Sequence, residues 1–364
     1  MNAWHRRAAH AVERVWYGGS AWRWALWPLS ALFRGLVALR ARSYRTGATR
    51  SVSLPVPVVV VGNVTVGGTG KTPFVIWLAR ELVARGHAPG IVTRGYRGRA
   101  AGSPLRVTAA SSTDDAGDEP VLLAARTSRP VVAAVDRVAA AEALLADVPG
   151  VDVLLSDDGL QHYRLARAFE IAVVDAARGF GNGLCLPAGP LREPVARLAK
   201  VDAVVVNEGS GDDDAAERRS LLRGIPGDAL RVSMKLAVTR VYRVADGVEA
   251  SLDAFAGRTV HAVAGIGHPE RFFRMLERAG IVVLRHPLPD HARLRAEDLP
   301  REPAVPVLTT EKDAVKLRGA TTHDVWCVAV DAVVDAADAE RLLEAIEAAM
   351  LAHAHAGADH RARQ

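Results

Sequence analysis

The chain has 364 residues, 49% of them hydrophobic, and a net charge of +5. A chain of this length can form two or three domains, and its hydrophobic fraction excludes disorder over most of it. The first 50 residues contain nine arginines, no lysine and one acid, Glu13, so they carry +8 and the other 314 residues carry −3. The mildly acidic body therefore lacks the basic stripe of a nucleic-acid-binding protein. Cys185 and Cys327 are the only cysteines, which excludes a disulfide-rich scaffold and a cysteine-based zinc site and favours a reduced, cytoplasmic setting.

An amphipathic helical segment is predicted over residues 1–45. Apolar residues recur at helical spacing over 4–16 and over 29–37, and Gly18, Gly19 and Pro28 are expected to separate the two stretches. The longest apolar run without charge, 24–33, is about half of the roughly 20 residues that span a bilayer, so no transmembrane helix is expected. Five of the seven tryptophans lie in this segment among arginines, as is typical of a helix at the interface of an anionic membrane. The alternative is a helix that packs on its own protein, with its tryptophans in the core and its arginines in solvent.

A glycine-rich loop follows the first predicted strand. Residues 58–61 are four valines, which indicate a buried parallel strand, and an amphipathic stretch over 74–85 comes after the loop. This order is typical of a phosphate-binding loop, in which backbone N–H groups and the helix N-terminus contact phosphate oxygens, Lys71 reaches the β and γ phosphates, and Thr72 holds Mg²⁺. The general pattern has its first glycine at the position of Thr65, so the loop is a variant; a chance glycine-rich turn is the alternative. The residues predicted to bind ATP are Thr65, Val66, Gly67, Gly68, Thr69, Gly70, Lys71 and Thr72.

A pair of acids follows a later predicted strand. The apolar run 151–155 ends in Ser156, Asp157 and Asp158. P-loop enzymes keep the carboxylate that orients Mg²⁺ at the carboxyl end of a hydrophobic strand. Asp157 and Asp158 are therefore predicted to hold the metal, directly or through water, and a simple Asp-Asp-Gly turn is the alternative.

Short β-branched runs alternate with helical patterns along the body of the chain, which predicts parallel sheets covered by helices on both faces. The predicted strands are 58–61, 91–93, 131–135, 151–155, 171–174, 203–206, 259–264, 281–284, 305–308 and 325–330. The predicted fold class is α/β, with a P-loop NTPase-like parallel-sheet domain, a second, smaller α/β domain and the N-terminal amphipathic helical segment. The polar loop at 209–214 and the glycine-containing stretch at 224–227 set the boundary. The predicted domains are a membrane-interface segment (1–45), a nucleotide-binding and catalytic domain (46–228), a smaller α/β domain (229–351) and a polar tail (352–364).

A series of short motifs follows in order along the chain. They are the loop at 62–73, Thr-Arg-Gly-Tyr at 93–96, Gly-Asp-Glu-Pro at 117–120, Asp-Asp-Gly-Leu-Gln-His at 157–162, Leu-Pro-Ala-Gly-Pro-Leu-Arg-Glu-Pro at 186–194, Ala-Gly-Ile-Gly-His-Pro at 264–269, Pro-Asp-His at 289–291 and Thr-Glu-Lys-Asp at 310–313. Together they resemble the tetraacyldisaccharide 4′-kinase family of lipid A biosynthesis, including its threonine at the first loop position. The resemblance extends from about residue 10 to about residue 350.

The resemblance implies an enzyme of lipopolysaccharide biosynthesis. It would use ATP and Mg²⁺ to phosphorylate the 4′-hydroxyl of a tetraacylated glucosamine disaccharide 1-phosphate, the lipid A disaccharide precursor, and give lipid IVA. It would be a peripheral protein at the cytoplasmic face of the inner membrane, in contact with the anionic membrane surface. A sugar hydroxyl has to be aligned with the γ-phosphate while a carboxylate or histidine accepts its proton. Asp118 is the base that the resemblance implies; we pair it with His291, with His268 as the rival partner, and Lys71 completes the predicted catalytic set.

Arg192 is predicted to clamp the 1-phosphate of the acceptor, because a planar guanidinium can bind a phosphate through two hydrogen bonds. Gln161 and His162, next to the acid pair, are predicted to line the same cleft. A solvated loop arginine is the alternative for Arg192.

Lys312 and Lys316 are two of only five lysines in a chain with 41 arginines. A phosphate or domain contact and a plain helix-surface charge both remain open for them. Because Asp118 falls in the first predicted large domain and His291 in the second, we expect the active site in a cleft that closes on ATP.

A regulatory P-loop NTPase, which hydrolyses nucleotide without a lipid acceptor, is the alternative function. This alternative function does not explain the tryptophans and arginines of the N-terminal segment. A nucleic-acid-dependent ATPase is disfavoured by the acidic body. The oligomeric state, the acyl-chain preference and the purpose of the tail do not follow from the sequence.

Overall fold

The computed structural model describes residues 11–96, 98–99, 102–209, 224–300, 302, 305–317 and 324–362. The helices are α1 (Trp22–Arg45), α2 (Lys71–Ala84), α3 (Thr113–Ala116), α4 (Asp118–Thr127), α5 (Arg137–Asp147), α6 (Pro269–Arg278), α7 (Glu311–Leu317) and α8 (Ala336–Ala362). The strands are β1 (Val58–Gly62), β2 (Pro89–Thr93), β3 (Leu105–Val107), β4 (Val131–Ala133), β5 (Val153–Asp157), β6 (Phe169–Asp175), β7 (Ala203–Asn207), β8 (Leu230–Arg243), β9 (Glu249–Ala250), β10 (Thr259–Ala264), β11 (Val282–Pro287), β12 (Val307–Thr310) and β13 (Val325–Val334). Short 3₁₀ turns occur at Val195–Lys200, Leu252–Phe255 and Ala296–Asp298.

The chain divides into two compact units, and each is assembled from separate stretches of sequence. The first unit comprises the described parts of Met1–Thr69, Asp158–Met234 and Val334–Gln364. The second comprises the described parts of Gly70–Asp157 and Lys235–Val333.

In the first unit, β1, β6, β7 and the beginning of β8 pair side by side, all in parallel. Val59 of β1 lies opposite Phe169 of β6. Both strands are buried along their whole length, as expected for β-branched strands that are covered on both faces. The core of this unit includes Val64 from the loop after β1, together with Leu160 and Leu191.

In the second unit, β5, β2 and β4 pair in parallel, and β3 pairs antiparallel with β4. β11, β10, β12 and β13 form another parallel set in that order, and the end of β8 pairs antiparallel with β9. Helix α4 packs against α2 and α7. This packing brings Asp118, the first residue of α4, next to Lys316 of α7.

The predicted α/β fold class is confirmed, and each run of β-branched residues expected to be a strand overlaps one. Strands β3, β8 and β9 were not predicted. β8 is 14 residues long, and residues 230–236 in its first half alternate strictly between apolar and polar, which is the period-2 pattern of a strand, but they contain no run of β-branched residues. The domain boundaries predicted from polar loops stay a prediction, and residues 210–214 of the first loop lie outside the described residues.

The N-terminal segment differs from its prediction at Pro28. Residues 11–16 are helical, and α1 continues through Pro28 to Arg45, so the expectation that Pro28 helps to separate two helical stretches is wrong. Proline removes one helical hydrogen bond, but the helix is held beyond it by Ser30, whose hydroxyl donates to the Cys185 carbonyl, and by Phe33, which packs on the core. The predicted helical positions before residue 11 lie outside the described residues.

Two further features concern the chain ends and the membrane. Helix α8 continues to Ala362, so most of the segment 352–364, predicted as a polar tail, is helical, and residues 363–364 lie outside the described part. Among the described residues, no helix combines the length and the apolar composition that crossing a membrane requires.

Candidate active site

The predicted phosphate-binding loop leads from β1 into the N-terminus of α2. Gly67 and Gly70 have φ angles of 111° and 91°, which favour glycine because a side chain would be strained there. Gly70 is the N-cap residue of α2, and Lys71 and Thr72 are the first two residues of that helix. Gly70 has no side chain that could accept hydrogen bonds from the N–H groups at the start of α2. These N–H groups can therefore bind a phosphate group, which the helix dipole also attracts.

The structure also explains why the loop tolerates Thr65 in place of the usual glycine. Thr65 forms an antiparallel bridge with Leu191, and the Val66 N–H donates to the Pro190 carbonyl at 2.8 Å. Thr65 is thus paired as a strand residue would be, and strands favour β-branched side chains. The backbone freedom of glycine is needed farther along, at Gly67.

Two asparagines that were not predicted hold this loop. Asn207, at the end of β7, donates from Nδ2 to the Thr69 carbonyl at 3.0 Å. Asn63 Nδ2 lies 3.5 Å from both Thr65 Oγ1 and the Gly67 carbonyl. The Thr69 hydroxyl and Asn63 Oδ1 are buried and have no hydrogen-bond partner in the part of the chain that the structure describes. Because an unpartnered buried polar atom is costly, both atoms indicate that this loop takes a polar ligand.

The two acids predicted to hold the metal have different surroundings. Asp157 ends β5 and is buried, and its Oδ2 accepts a hydrogen bond from the Thr93 hydroxyl at 3.1 Å. Asp158 has a φ of 49°, and its two carboxylate oxygens lie 2.9 and 3.0 Å from Nη1 of Arg192. The residue predicted to clamp a phosphate and one of the residues predicted to hold Mg²⁺ are thus ion-paired.

The residues after the acid pair contact the beginning of the loop. Gln161 Nε2 donates to the Asn63 carbonyl at 3.0 Å. A Cβ atom at Gly62 would lie 2.6 Å from Leu160 Cβ, closer than side chains can approach. His162 is half-buried, and its N–H donates to the Gly159 carbonyl at 2.9 Å. The structure therefore joins Gln161 to the loop.

The second unit brings together Asp118 and His291, which are 173 positions apart in the sequence. Gly117, whose φ is 90°, precedes Asp118, and Asp118 is the first residue of α4. Its Oδ1 lies 2.9 Å from His291 Nδ1 and also accepts from the Glu119 N–H at 2.9 Å. The Tyr96 ring centroid is 5.0 Å from that of the histidine. His268, the rival partner, is the N-cap residue of α6.

Two lysines of α7 surround this pair. Lys316 Nζ lies 3.2 Å from Asp118 Oδ2 and 2.9 Å from Asp313 Oδ1. Lys312 Nζ lies 3.1 Å from His291 Nε2. The only sequence signal for these contacts is that two of five lysines occur here in an arginine-rich chain.

The charges in this cluster decide its protonation. Burial raises the pKa of Asp118, but the hydrogen bond from His291 and the positive charge of Lys312 outweigh burial, so that pKa lies well below its usual range. Burial lowers the pKa of Lys312, but the carboxylates of Glu119 and Asp290 outweigh it and raise that pKa above its usual value. Asp118 is therefore a carboxylate and Lys312 an ammonium group at neutral pH.

A cavity of about 850 Å³ adjoins the cluster within the same unit. Its wall includes Asp118, His291, Lys316 and Tyr96, together with residues 109–114 and 292–295. A cavity of this size falls in the range of small-molecule sites. A carboxylate and an imidazole at its wall can accept and orient the proton of a ligand hydroxyl.

The donor atoms near the loop suit Mg²⁺. The hydroxyl of Thr72 and the carboxylate of Asp157 are hard oxygen ligands, and Mg²⁺ in nucleotide sites is held by one or two such groups together with phosphate oxygens and water. In the described part of the chain, no group of three or more His, Cys, Asp and Glu side chains is arranged to bind a metal. A dedicated all-protein cage is not what this ion requires.

Comparison with known proteins supplies an independent line of evidence. The family model described as tetraacyldisaccharide-1-P 4′-kinase matches residues 22–349. A tetraacyldisaccharide 4′-kinase of Alkalilimnicola ehrlichii is 51% identical over 318 residues, which cover 87% of this chain and 91% of that protein. One from Azoarcus is 49% identical over 88% of this chain and 91% of that protein. The crystal structure of the "apo" form of LpxK from Aquifex aeolicus in complex with ATP matches with a TM-score of 0.75 and 29% identity, covering 90% of this chain and 99% of that one.

Proposed function

Because the chain belongs to the tetraacyldisaccharide 4′-kinase family, we propose that it transfers the γ-phosphoryl group of ATP to the 4′-hydroxyl of a tetraacylated glucosamine disaccharide 1-phosphate, giving lipid IVA. The observation that carries the assignment of chemistry is the hydrogen bond between Asp118 and His291 at the wall of a cavity. A kinase also needs a site for the phosphates of ATP, and the phosphate-binding loop of the same chain would provide it.

The loop and the first residues of α2 bind the triphosphate of ATP. The backbone around Gly67 and Gly70 can approach the phosphates closely because neither residue has a side chain. Lys71, the first residue of α2, places its positive charge against the β and γ phosphates. The Thr69 hydroxyl, which has no hydrogen-bond partner among the described residues, can donate to a phosphate oxygen. A bound ATP at this loop is consistent with the relative from Aquifex aeolicus, whose crystal structure contains ATP.

Thr72 and Asp157 would hold Mg²⁺, which when bound neutralises charge on the phosphates. Asp157 fits this role better than Asp158, because both oxygens of Asp158 contact Arg192. The pairing of Arg192 with Asp158 also holds the guanidinium in place, and a phosphate of the acceptor can compete with the carboxylate for it.

The reaction moves one proton and one phosphoryl group. The 4′-oxygen of the acceptor forms a bond to the γ-phosphorus as the bond from that phosphorus to the β,γ-bridging oxygen breaks, and ADP leaves with the bond's electron pair. The hydroxyl proton passes to the carboxylate of Asp118, which His291 holds at Oδ1. Because the transition state is loose, Asp118 acts mainly by orienting the hydroxyl, a role that a carboxylate of low pKa can fill. Gln161 and His162 are proposed to contact the acceptor near Arg192.

We also propose that the protein binds the cytoplasmic face of the inner membrane through α1. Four leucines of α1 are exposed, namely Leu29, Leu32, Leu36 and Leu39, and so are Trp22, Trp24 and Trp27. Spaced three or four residues apart, the leucines form a row on one side of the helix, which we call the leucine row. Arginines at 34, 40, 42 and 45 lie on the same helix, as in helices that insert an apolar face at an anionic membrane surface.

The test of the proposed function is phosphorylation of the detergent-dispersed disaccharide 1-phosphate by ATP. We expect transfer to the 4′-position, and Asp118→Asn should reduce kcat by about 10²–10⁴-fold while ATP still binds. Asp115→Asn, an exposed acid on α3, is the matched control and should keep wild-type activity. ATP turnover at full rate without the lipid would contradict the proposal and favour a regulatory NTPase.

A further inference from the structure

The ammonium group of Lys312 is surrounded by three hydrogen-bond acceptors. Its Nζ lies 3.1 Å from Glu119 Oε1, 2.9 Å from Asp290 Oδ1 and 3.1 Å from His291 Nε2. An ammonium group has three N–H donors and no acceptor. The three partners therefore account for all three donors, and Lys312 has to donate to the imidazole rather than accept from it.

This donation determines where His291 carries its proton. If Nε2 accepts from Lys312, it has no hydrogen, and the single proton of the neutral ring is on Nδ1. Nδ1 then donates to Asp118 Oδ1 at 2.9 Å. The carboxylates of Glu119 and Asp290 lie 4.0 and 3.8 Å from Nε2, too far to accept a good hydrogen bond from the opposite tautomer.

The same contacts distinguish the two oxygens of Asp118. Oδ1 accepts two hydrogen bonds, from His291 Nδ1 and from the Glu119 N–H. Oδ2 is buried, accepts no hydrogen bond from the described residues and lies 3.2 Å from Lys316 Nζ. Oδ2 is thus the oxygen with lone pairs left for an incoming hydroxyl.

We propose that Lys312 is a positioning residue of the kinase reaction: by donating to His291 Nε2 it fixes the Nδ1–H tautomer, which holds Asp118 Oδ1 and leaves Oδ2 to accept the proton of the acceptor hydroxyl. This inference rests on the proposed function for its catalytic meaning, but the tautomer is a property of the protein alone. It also explains why a lysine stands at this position in a chain with 41 arginines. A compact ammonium group can direct three donors to three converging acceptors, whereas a planar guanidinium directs its donors within one plane.

The first experiment is ¹⁵N NMR of the full chain labelled at histidine, at neutral pH, without substrates. The His291 signals are assigned by their loss in His291→Gln. We expect the wild-type ring to be neutral with its proton on Nδ1, and Lys312→Met to relax this preference. A wild-type His291 protonated at Nε2 would overturn the inference whether or not the protein proves to be a kinase.

The second experiment measures steady-state kinetics with ATP and the disaccharide 1-phosphate for Lys312→Met, Lys312→Arg and the control Lys200→Met, an exposed lysine. We expect Lys312→Met to lower kcat by about 10- to 100-fold, less than the loss of the base itself, with little change in KM for ATP. Lys312→Arg should also lower kcat, because it keeps the charge but not the three-donor geometry. Lys200→Met should match the wild type.

The pH profile separates positioning from a structural role. His291 and Lys316 contact Asp118 directly, and the charge of Lys312 also acts on it. The other charged and polar groups of the cluster contact His291 or one of the two lysines; they are Tyr96, Glu119, Asp290 and Asp313. Removing the Lys312 charge raises the pKa of Asp118, so the acidic limb of kcat should move to higher pH in Lys312→Met and much less in Lys312→Arg. A structural defect would lower the amount of active enzyme without moving this limb.

The outcomes distinguish this inference from the proposed function. If the wild type phosphorylates the lipid but Lys312→Met keeps kcat within about twofold and an unshifted acidic limb, the inference fails and the kinase remains. If the wild type does not phosphorylate the lipid, the proposed function fails, and the NMR experiment still tests the tautomer. If Lys312→Met does not fold, as judged by circular dichroism and ATP binding, Lys312→Gln replaces it in both measurements.

Discussion

Arg192 and Asp158 are bound to each other: Nη1 of the guanidinium lies 2.9 and 3.0 Å from the two carboxylate oxygens. Both side chains are partly exposed, at 28% and 26%, so solvent and ligands can reach the pair. A phosphate and the carboxylate would compete for the same N–H donors. The guanidinium is thereby held ready in one orientation before a substrate binds.

Arg192→Lys should weaken use of the lipid acceptor, since an ammonium group cannot make the two parallel hydrogen bonds of a guanidinium. We expect KM for the disaccharide 1-phosphate to rise by about tenfold, which corresponds to one charge-assisted hydrogen bond, while KM for ATP changes little. Arg240→Lys is a matched control, because Arg240 is also ion-paired with a carboxylate, that of Glu249. An acceptor KM equal to that of the wild type would remove Arg192 from substrate binding.

Gly62→Ala should destabilise the protein because the new Cβ would lie 2.6 Å from Leu160 Cβ and 2.9 Å from its backbone nitrogen. We expect the free energy of unfolding to fall by about 1–3 kcal/mol, as for other overpacked sites. ATP affinity should also fall, because Gln161 next to Leu160 holds the Asn63 carbonyl of the loop. Gly35→Ala on α1 is the control: among the described residues, no atom from outside the local helix backbone lies within 4 Å of a Cβ placed there, so it should raise stability by about 0.5–1 kcal/mol. Chemical denaturation and nucleotide titration measure both effects.

Alkaline pH should destabilise the wild type more steeply than Tyr163→Phe. Burial and the charge of Glu193, whose Oε1 accepts from the Tyr163 hydroxyl at 2.6 Å, raise the pKa of Tyr163 from 10.0 to about 12. A raised pKa contributes stability below pH 10, and that contribution is lost as the pH rises through about 12.

The difference between wild type and Tyr163→Phe in the free energy of unfolding should therefore shrink between pH 10 and 12, as denaturation at several pH values can show. Its slope should stay below the limit of about 1.4 kcal/mol per pH unit for one proton, because the side chain is partly in solvent. Tyr242→Phe, where the ring lies under Arg240, is the control. Equal pH dependence of wild type and Tyr163→Phe would show that Tyr163 does not titrate as described.

Leu32→Glu should reduce binding to vesicles without reducing stability. Leu32 belongs to the leucine row and is 62% exposed, so a polar residue there changes the free energy of unfolding by no more than about 0.5 kcal/mol. Insertion of one leucine into an apolar phase contributes about 1.5–3 kcal/mol, and its loss should lower the fraction bound to phosphatidylglycerol-containing vesicles severalfold. Leu351→Glu on α8 is the control, since Leu351 is also 62% exposed. Unchanged co-sedimentation of Leu32→Glu would argue against the leucine row as the binding surface.

The parts of the fold that could be predicted are those whose signal is local. β1 and β7 contain runs of consecutive β-branched residues that are buried on both faces, and such runs are hard to satisfy in any other element. β8 also has a local signal, the alternation of apolar and polar residues over 230–236, but it lacks the β-branched run from which the other strands were predicted. The effect of Pro28 could not be predicted for a different reason: the contacts that keep α1 helical beyond it, such as that of Ser30 with Cys185, come from distant parts of the sequence.

The candidate site divides in the same way. The predicted phosphate-binding loop is contiguous, so its glycines, Lys71 and Thr72 could be proposed as phosphate-binding residues from their order in the sequence alone. The contact of Asp118 with His291 depends on α4 packing against α7 and on the loop after β11, so sequence could suggest the two residues only through resemblance to a family. The pairing of Arg192 with Asp158 had no sequence signal, and the scarcity of lysines singled out Lys312 but not its partners, because these contacts join residues that are far apart in the sequence.

The leucine row on α1 has a kinetic consequence. Under the proposed function, the acylated acceptor is confined to a bilayer and diffuses laterally within it. An enzyme held on that bilayer by an exposed apolar helix face searches for its lipid in two dimensions, and only the nucleotide has to arrive from solution. The turnover rate in the cell would then depend on how many acceptor molecules share a patch of membrane with one enzyme, rather than on their concentration in the cell volume.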